Sequence, residues 1–120
     1  MAYVDGFVIP IPRRSMAAYR RMARLAGKVW MEHGAVEYRE AVGEDLPRKP
    51  RMGRAFHKLA AAKPGETVLF SWIVYKSRAH RDRVNARVMK DPRIAKMMEE
   101  KMPFDGKRMA YGGFDVIVDL

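Results

Sequence analysis

Any chemistry in this chain has to come from a short set of residues. The segment Phe104-Asp105-Gly106-Lys107-Arg108 places one carboxylate and two cations around a glycine. Lys107 or Arg108 could grip an anionic ligand group there, Arg108 through two parallel hydrogen bonds. Asp105 could orient that ligand or take a proton from it. The same residues also make ordinary structure: Asp105 and Gly106 suit a turn, and the cations suit pairing with nearby acids. The structural use is the favoured reading. Trp72, Tyr75, His80 and Tyr111 offer aromatic and polar groups, and with Asp105 and Arg108 they form the candidate ligand-binding set. No catalytic residue is assigned.

Other reactive types are missing or badly placed. Cysteine is absent from the 120 residues, which excludes a disulfide, a thiolate metal site and a cysteine nucleophile. His33, His57 and His80 are too far apart for two to share one helix at metal-ligand spacing. No metal and no cofactor are expected. Gly112-Gly113 lacks the helix start that a phosphate loop needs. A glycine pair in a strand signals a bulge or a close backbone approach, here expected from packing across a dimer. Ser71 has no motif around it. Asp5 interrupts an apolar strand and needs a cationic partner if buried.

The net charge of +10 raises the question of nucleic acid. The cations are spread from Arg13 to Arg108 with no dense block. A solvated basic surface is the expected reading, with no specific nucleic acid as partner. No run reaches the length of a membrane span, so no membrane partner is expected. Asp5 breaks the opening apolar stretch and the arginines follow it, which is not the order of a signal peptide. A cytoplasmic location is expected.

The elements that must position these residues follow from periodicity. Tyr3–Ile11 reads as a strand closed by prolines. Ser15 is expected to cap a helix that runs to about His33 and stops at Gly34. Ala35–Val42 reads as a second strand. Gly43–Gly53 is a charged, proline-rich loop, and Arg54–Ala62 a short helix. Thr67–Tyr75 is a third strand. Ser77 caps a helix to about Lys90, and Asp91-Pro92 starts another that ends before Pro103. Met109–Val118 is the last strand. The order is βαβ, a short helix, then βαβ, which makes residues 1–120 one α+β domain. Its split βαβ pattern is ferredoxin-like, with helices on one face of a four-stranded antiparallel sheet.

Alternate residues of a strand point to opposite faces. Val68, Phe70, Trp72 and Val74 oppose Leu69, Ile73 and Tyr75, and both sets are apolar. The first and last strands repeat this. An antiparallel sheet with one wet face should be polar there. Each large apolar side chain left in water forgoes roughly 1.5–3 kcal/mol. A homodimer through the sheet face is therefore expected, giving a dimeric α/β barrel.

Three segments carry a resemblance to a known family. They are Tyr3-Val4-Asp5-Gly6-Phe7-Val8, Val68-Leu69-Phe70-Ser71-Trp72-Ile73, and Met102–Met109 with Tyr111-Gly112-Gly113-Phe114. Asp91-Pro92-Arg93 also fits. The chain resembles the YbaA-like bacterial family of unknown function, domain-of-unknown-function family 1428, over nearly its whole length. The resemblance implies the dimeric α/β-barrel fold and no particular activity. Haem-degrading members of that superfamily use a Trp on the third strand, a His on the next helix and an Asn on the first strand. Here the first strand has Asp5 and no Asn. The leading functional expectation is a small organic molecule bound or transformed in a cavity between sheet and helices. The alternatives are a non-enzymatic assembly module and a weak nucleic-acid binder acting through the basic surface.

Overall fold

A computed structural model of the chain describes residues 2–120. Its strands are β1 (Tyr3–Pro12), β2 (Glu37–Val42), β3 (Glu66–Tyr75) and β4 (Ala110–Asp115). Its helices are α1 (Met16–Glu32), α2 (Phe56–Leu59), α3 (Arg78–Met89) and α4 (Pro92–Glu99). The four strands lie in the order β2-β3-β1-β4, every pair antiparallel, as a split βαβ arrangement requires. The expected α+β class and sheet are therefore present.

Local chemistry sets most boundaries. Ser77 accepts a hydrogen bond from the His80 amide and starts α3. Asp91 does the same from the Arg93 amide and Pro92 opens α4. Gly34 follows α1 with φ +112°, a backbone state that a side chain resists. Two expectations need correction. Ser15 makes no side-chain cap, because Arg13–Ser15 already turn as a short 3-10 helix that feeds α1. The last strand stops at Asp115 rather than Val118. Tyr3, the first residue of β1, pairs with Asp115, and the bond from Val116 N–H to Ala2 O is the last rung. The chain beyond has no partner strand there.

Parity along the strands decides the layers. Ile9, Ile11, Leu69, Ile73 and Tyr75 lie on the face under the helices and are buried with Tyr19, Val29, Val84 and Ile94. The opposite, outer face carries Val4, Val8, Phe70, Trp72, Val74 and Phe114. Pro10 and Val68 at one end of that face are buried, and Phe56 of α2 packs its ring edge-on to Phe70 at 6.4 Å. The Gly43 amide ties the preceding loop to Val68 O. The rest is open: Phe70 and Phe114 are 45% and 61% exposed. The molecule measures 40 × 38 × 20 Å, with a radius of gyration of 15.2 Å. A compact domain of this length would have about 13.6 Å. It is flat because it has one sheet layer and one helix layer.

Gly113 shows the close approach that its pair suggested, but within one chain. A Cβ there would meet the Tyr3 ring at 2.7 Å. The register Asp5–Gly113 and Gly6–Gly112 is continuous, so no bulge interrupts it.

Arg108 closes one end of the sheet. Its Nη1 and Nη2 donate to Glu66 Oε2 and Oε1 at 2.8 and 2.7 Å, and Nη2 also reaches Ala61 O at 2.8 Å. The Lys63 amide adds a bond to Glu66 Oε1. The Arg108 hydrogen bonds lower the Glu66 pKa from 4.5 to about 2, against a smaller opposing effect of burial. A carboxylate with a depressed folded pKa stabilises above its unfolded value and loses that contribution as pH falls through the folded one. Arg108→Ala should lower the melting temperature above pH 5. The difference from the parent protein should shrink as pH falls below about 4.5 and through about 2, leaving the smaller, pH-independent loss of the bond to Ala61 O, as thermal melts by circular dichroism would record. A difference that stays constant over this range would contradict the assignment.

Candidate functional site

The helices do not fill the space over the sheet. A cavity of about 380 Å³ remains between the strands and α1, α3 and α4. Its floor at one end is polar. Asp5 is 7% exposed, and its Oδ1 accepts from Arg81 Nη1 at 2.7 Å. Arg81 also donates from Nε to Asp82 and lies over the Tyr3 ring, 5.0 Å from its centroid. The neighbouring amide of Asn85 takes two donors on Oδ1, from Trp30 Nε1 at 3.1 Å and Tyr75 Oη at 3.2 Å. The indole can only donate, so the amide orientation is fixed, and the N–H groups are what Asn85 can offer to the cavity. Burial, then the Asp5 charge, pushes the Tyr75 phenol above its ordinary range.

The walls are apolar and soft. Met22 comes from α1, Met89 from α3, Met97 from α4, and Met102 and Met109 from the segment that leads into β4. Thioether side chains adapt to irregular contents. The opposite side is closed by a carboxylate held between two phenols. Tyr19 and Tyr38 donate to Glu40 Oε1 and Oε2, each at 2.7 Å. Burial first, then Glu40, raises both phenols well above their ordinary value.

The six candidate residues divide between this cavity and other places. Tyr111 lines the cavity and stacks on Phe7 at 6.2 Å. Tyr75 supports the floor through Asn85. His80 instead secures the start of α3. Its Nδ1 accepts from the Lys76 amide at 3.0 Å, and its ring stands edge-on to Tyr75. Burial, and then the charges of Lys76, Arg83 and Arg87, hold its pKa below the usual value. Trp72 faces the outer side, where Nε1 donates to Glu37 at 2.7 Å. The sheet therefore separates Trp72 from His80. Asp105 accepts from the Lys107 amide at 3.0 Å and shapes the turn Gly106–Arg108. Arg108 is engaged with Glu66. Asp105 and Arg108 border a separate surface hollow rather than the cavity.

The cavity also uses residues that sequence reasoning passed over. Arg81 and Asn85 lie four apart on α3, one turn, and Trp30 faces them from α1. Asp5 did show its need for a cation, but Arg81 is 76 positions away and only the fold selects it. The ten methionines of the chain are a compositional counterpart of this soft interior. Among the described residues no group of three or more His, Cys, Asp or Glu side chains is arranged to hold a metal ion. No described helix is long and apolar enough to cross a membrane.

Arg81→Met would leave Asp5 buried without its cation. The expected loss of unfolding free energy is roughly 3–5 kcal/mol. Asp5→Leu combined with Arg81→Met should recover most of it, because the isolated buried charge is then gone. Denaturant titrations of the single and double variants measure this, and additive losses would contradict the pairing.

Comparison with known proteins places the chain in a family. The family model described as "Protein of unknown function (DUF1428)" matches residues 2–106. The uncharacterized protein YbaA of Escherichia coli strain K12 is 45% identical over 121 residues, covering 99% of both chains. The protein of the same name from Shigella flexneri matches at the same identity and coverage. The solved structure of Rv0793 from Mycobacterium tuberculosis superposes with a TM-score of 0.56 at 13% identity, over 99% of this chain and 98% of that one. A likeness at that identity speaks for the fold alone. The YbaA relatives match over 99% of both chains, and the chain belongs to the DUF1428 family of proteins of unknown function.

Proposed function

We propose that this protein is a homodimer, joined through the outer face of the sheet, and that each copy binds a small organic molecule in the cavity between sheet and helices. The observation that carries the binding half is the cavity itself. Its 380 Å³ falls within the range of small-molecule sites, and apolar walls end on a few fixed polar groups. Binding suits the groups present better than catalysis does. Asp5 is committed to Arg81, and the Tyr19, Tyr38 and Tyr75 phenols are all held above their ordinary range. None of the three phenols is a general base poised near neutral pH.

The dimer half rests on the outer face. Phe70 and Phe114 stay largely exposed beside half-buried Val4, Trp72 and Val74. A second sheet laid on this face would bury them and supply the missing layer of a molecule only 20 Å thick. The two halves are separable by experiment. Native mass spectrometry of freshly purified protein should give twice the 13.8 kDa chain mass, with a retained small molecule where one copurifies. Phe70→Glu should give a folded monomer. Trp72→Phe leaves Trp30, on the cavity wall, as the only indole. Titration of that variant with the uncharged alcohol decanol should change Trp30 fluorescence, and Ser71→Leu, which fills the cavity from the sheet side, should abolish the change. A monomeric parent protein would refute the assembly; an unresponsive Trp30 would refute the binding site.

A further inference from the structure

The cavity shares one wall with a basic surface hollow. Met22, Met97, Met102 and Phe104 line the cavity on one side and a surface hollow of about 1250 Å³ on the other. The hollow lies between α1, α4 and the segment Glu100–Asp105. Seven cationic side chains and three carboxylates border it. Two of those cations are occupied: Arg108 by Glu66, and Arg93 by Glu32 and Asp91. The other five, Arg14, Arg21, Lys63, Lys96 and Lys101, form no ion pair among the described residues. Of the carboxylates, Glu66 is held by Arg108, and Asp105 faces the Lys107 amide, which leaves Glu100 as the one acid without a stated partner.

Charge is distributed differently inside. The interior pair Asp5–Arg81 is neutral as a unit, and the lining between it and the hollow is mainly thioether, aliphatic and aromatic, with the Glu40 carboxylate engaged by Tyr19 and Tyr38. Asp5 and Ile9 are four residues apart on β1, about 13 Å at strand rise. Ile9 belongs to the cluster against which Met22 and Phe104 pack. The distance from the polar floor to the methionine wall is therefore that of a medium-length alkyl chain. A net charge carried into this interior would find no free counter-ion, whereas one left in the hollow would find several.

We propose that the bound molecule is a single-chain anionic amphiphile, with its apolar body in the cavity and its charged head in the basic hollow. This rests on the cavity reading given above and adds the ligand class and the direction of entry. The methionine wall is the passage, because flexible thioethers can part and reseal without strained rotamers. The cations act through field strength and not through one fixed fork, so either a carboxylate or a phosphate ester can serve as the head.

The test compares molecules with one body and different heads, below their aggregation thresholds, on the full-length Trp72→Phe protein with Trp30 as reporter. Decanoate and decyl phosphate should each bind about tenfold tighter than decanol at low salt, and the advantage should fall towards unity near 1 M salt. The ratio between the two anions tells which head the hollow takes; either preference supports the proposal. Arg21→Glu with Lys96→Glu, both on exposed positions, should reduce decanoate to the affinity of decanol and leave decanol unchanged. Arg24→Glu with Lys28→Glu, beside the separate groove between α1 and β2, should change neither. Decanol bound as tightly as both anions overturns this proposal and leaves the cavity reading standing. Loss of the anion preference in the Arg24/Lys28 variant, but not in the Arg21/Lys96 variant, also overturns it. Failure of all three to bind removes both readings.

Discussion

A carboxylate inside the central strand obliges the protein to bring a cation to it. Asp5 sits on β1 with a neighbour on each side, β3 and β4, so no movement of the strand can return it to water. Arg81 answers from the first turn of α3. That turn is itself fixed by two contacts with the end of β3: Ser77 caps it, and His80 folds back onto the Lys76 amide. The helix can therefore leave the sheet only in a direction that carries Arg81 over Asp5. A buried ion pair contributes little net stability, but breaking it is expensive, so it selects one arrangement of α3 over others. Asn85 is then placed one turn on, where Trp30 and Tyr75 converge, and Asp91 is delivered to the end of α1. There it meets His33 at 2.9 Å and also caps α4. The position of three helices thus follows from one carboxylate in β1.

The same arrangement explains why a cavity survives. With α3 held at the Asp5 end and α4 tied to the end of α1 through Asp91 and Arg93, neither helix can slide down to close the gap over Phe7 and Ile9. Rigid branched side chains would have to fit that gap or leave a void. Methionines border it without strain in either state, filled or empty. An open interior and close packing are opposed demands here, and the residue type that compromises between them is the one concentrated around the cavity.

How much of this could be read from the chain alone varied with the range of the interaction. The strands, the split βαβ order and the caps at Ser77 and Asp91 depend on neighbours within a few residues, and periodicity shows them. The apolar character of both sheet faces was equally visible, because it needs only the alternation within β3. The end of β4 was not, since it is set by where β1 begins, more than a hundred residues earlier. Ser15 looked like a cap by type, but the two arginines before it had already begun to turn. At the site the limit was parity and distance. Trp72 and Tyr75 are close in sequence, yet the pleat places them on opposite faces of the sheet. Asp105 and Arg108 were chemically attractive, yet both are used to shape and anchor the entry to β4. The partners Arg81 and Asn85 had no local signature that would set them apart from other polar residues on a helix.

Period two has a further consequence for how such a chain can change. Odd positions of β1 and β3 (Asp5, Phe7, Ile9, Ser71, Ile73) face the cavity; even positions (Val4, Val8, Phe70, Trp72, Val74) face outwards. A substitution of one parity alters the lining of the cavity, and one of the other parity alters the outer face of the sheet. The two coincide at one crossing. Gly6 on β1 pairs with Gly112 on β4, and the Phe114 ring approaches within 3.4 Å of where a Gly6 side chain would begin. The adjacent Gly113 admits Tyr3, whose ring carries Arg81 above it. A side chain at Gly113 would lift Tyr3 and with it the cation of Asp5, while one at Gly6 would meet the Phe114 ring on the outer face at ordinary contact distance. The close approach of Tyr3 thus accounts for the glycine at position 113, at the point where the sheet lies next to the buried ion pair.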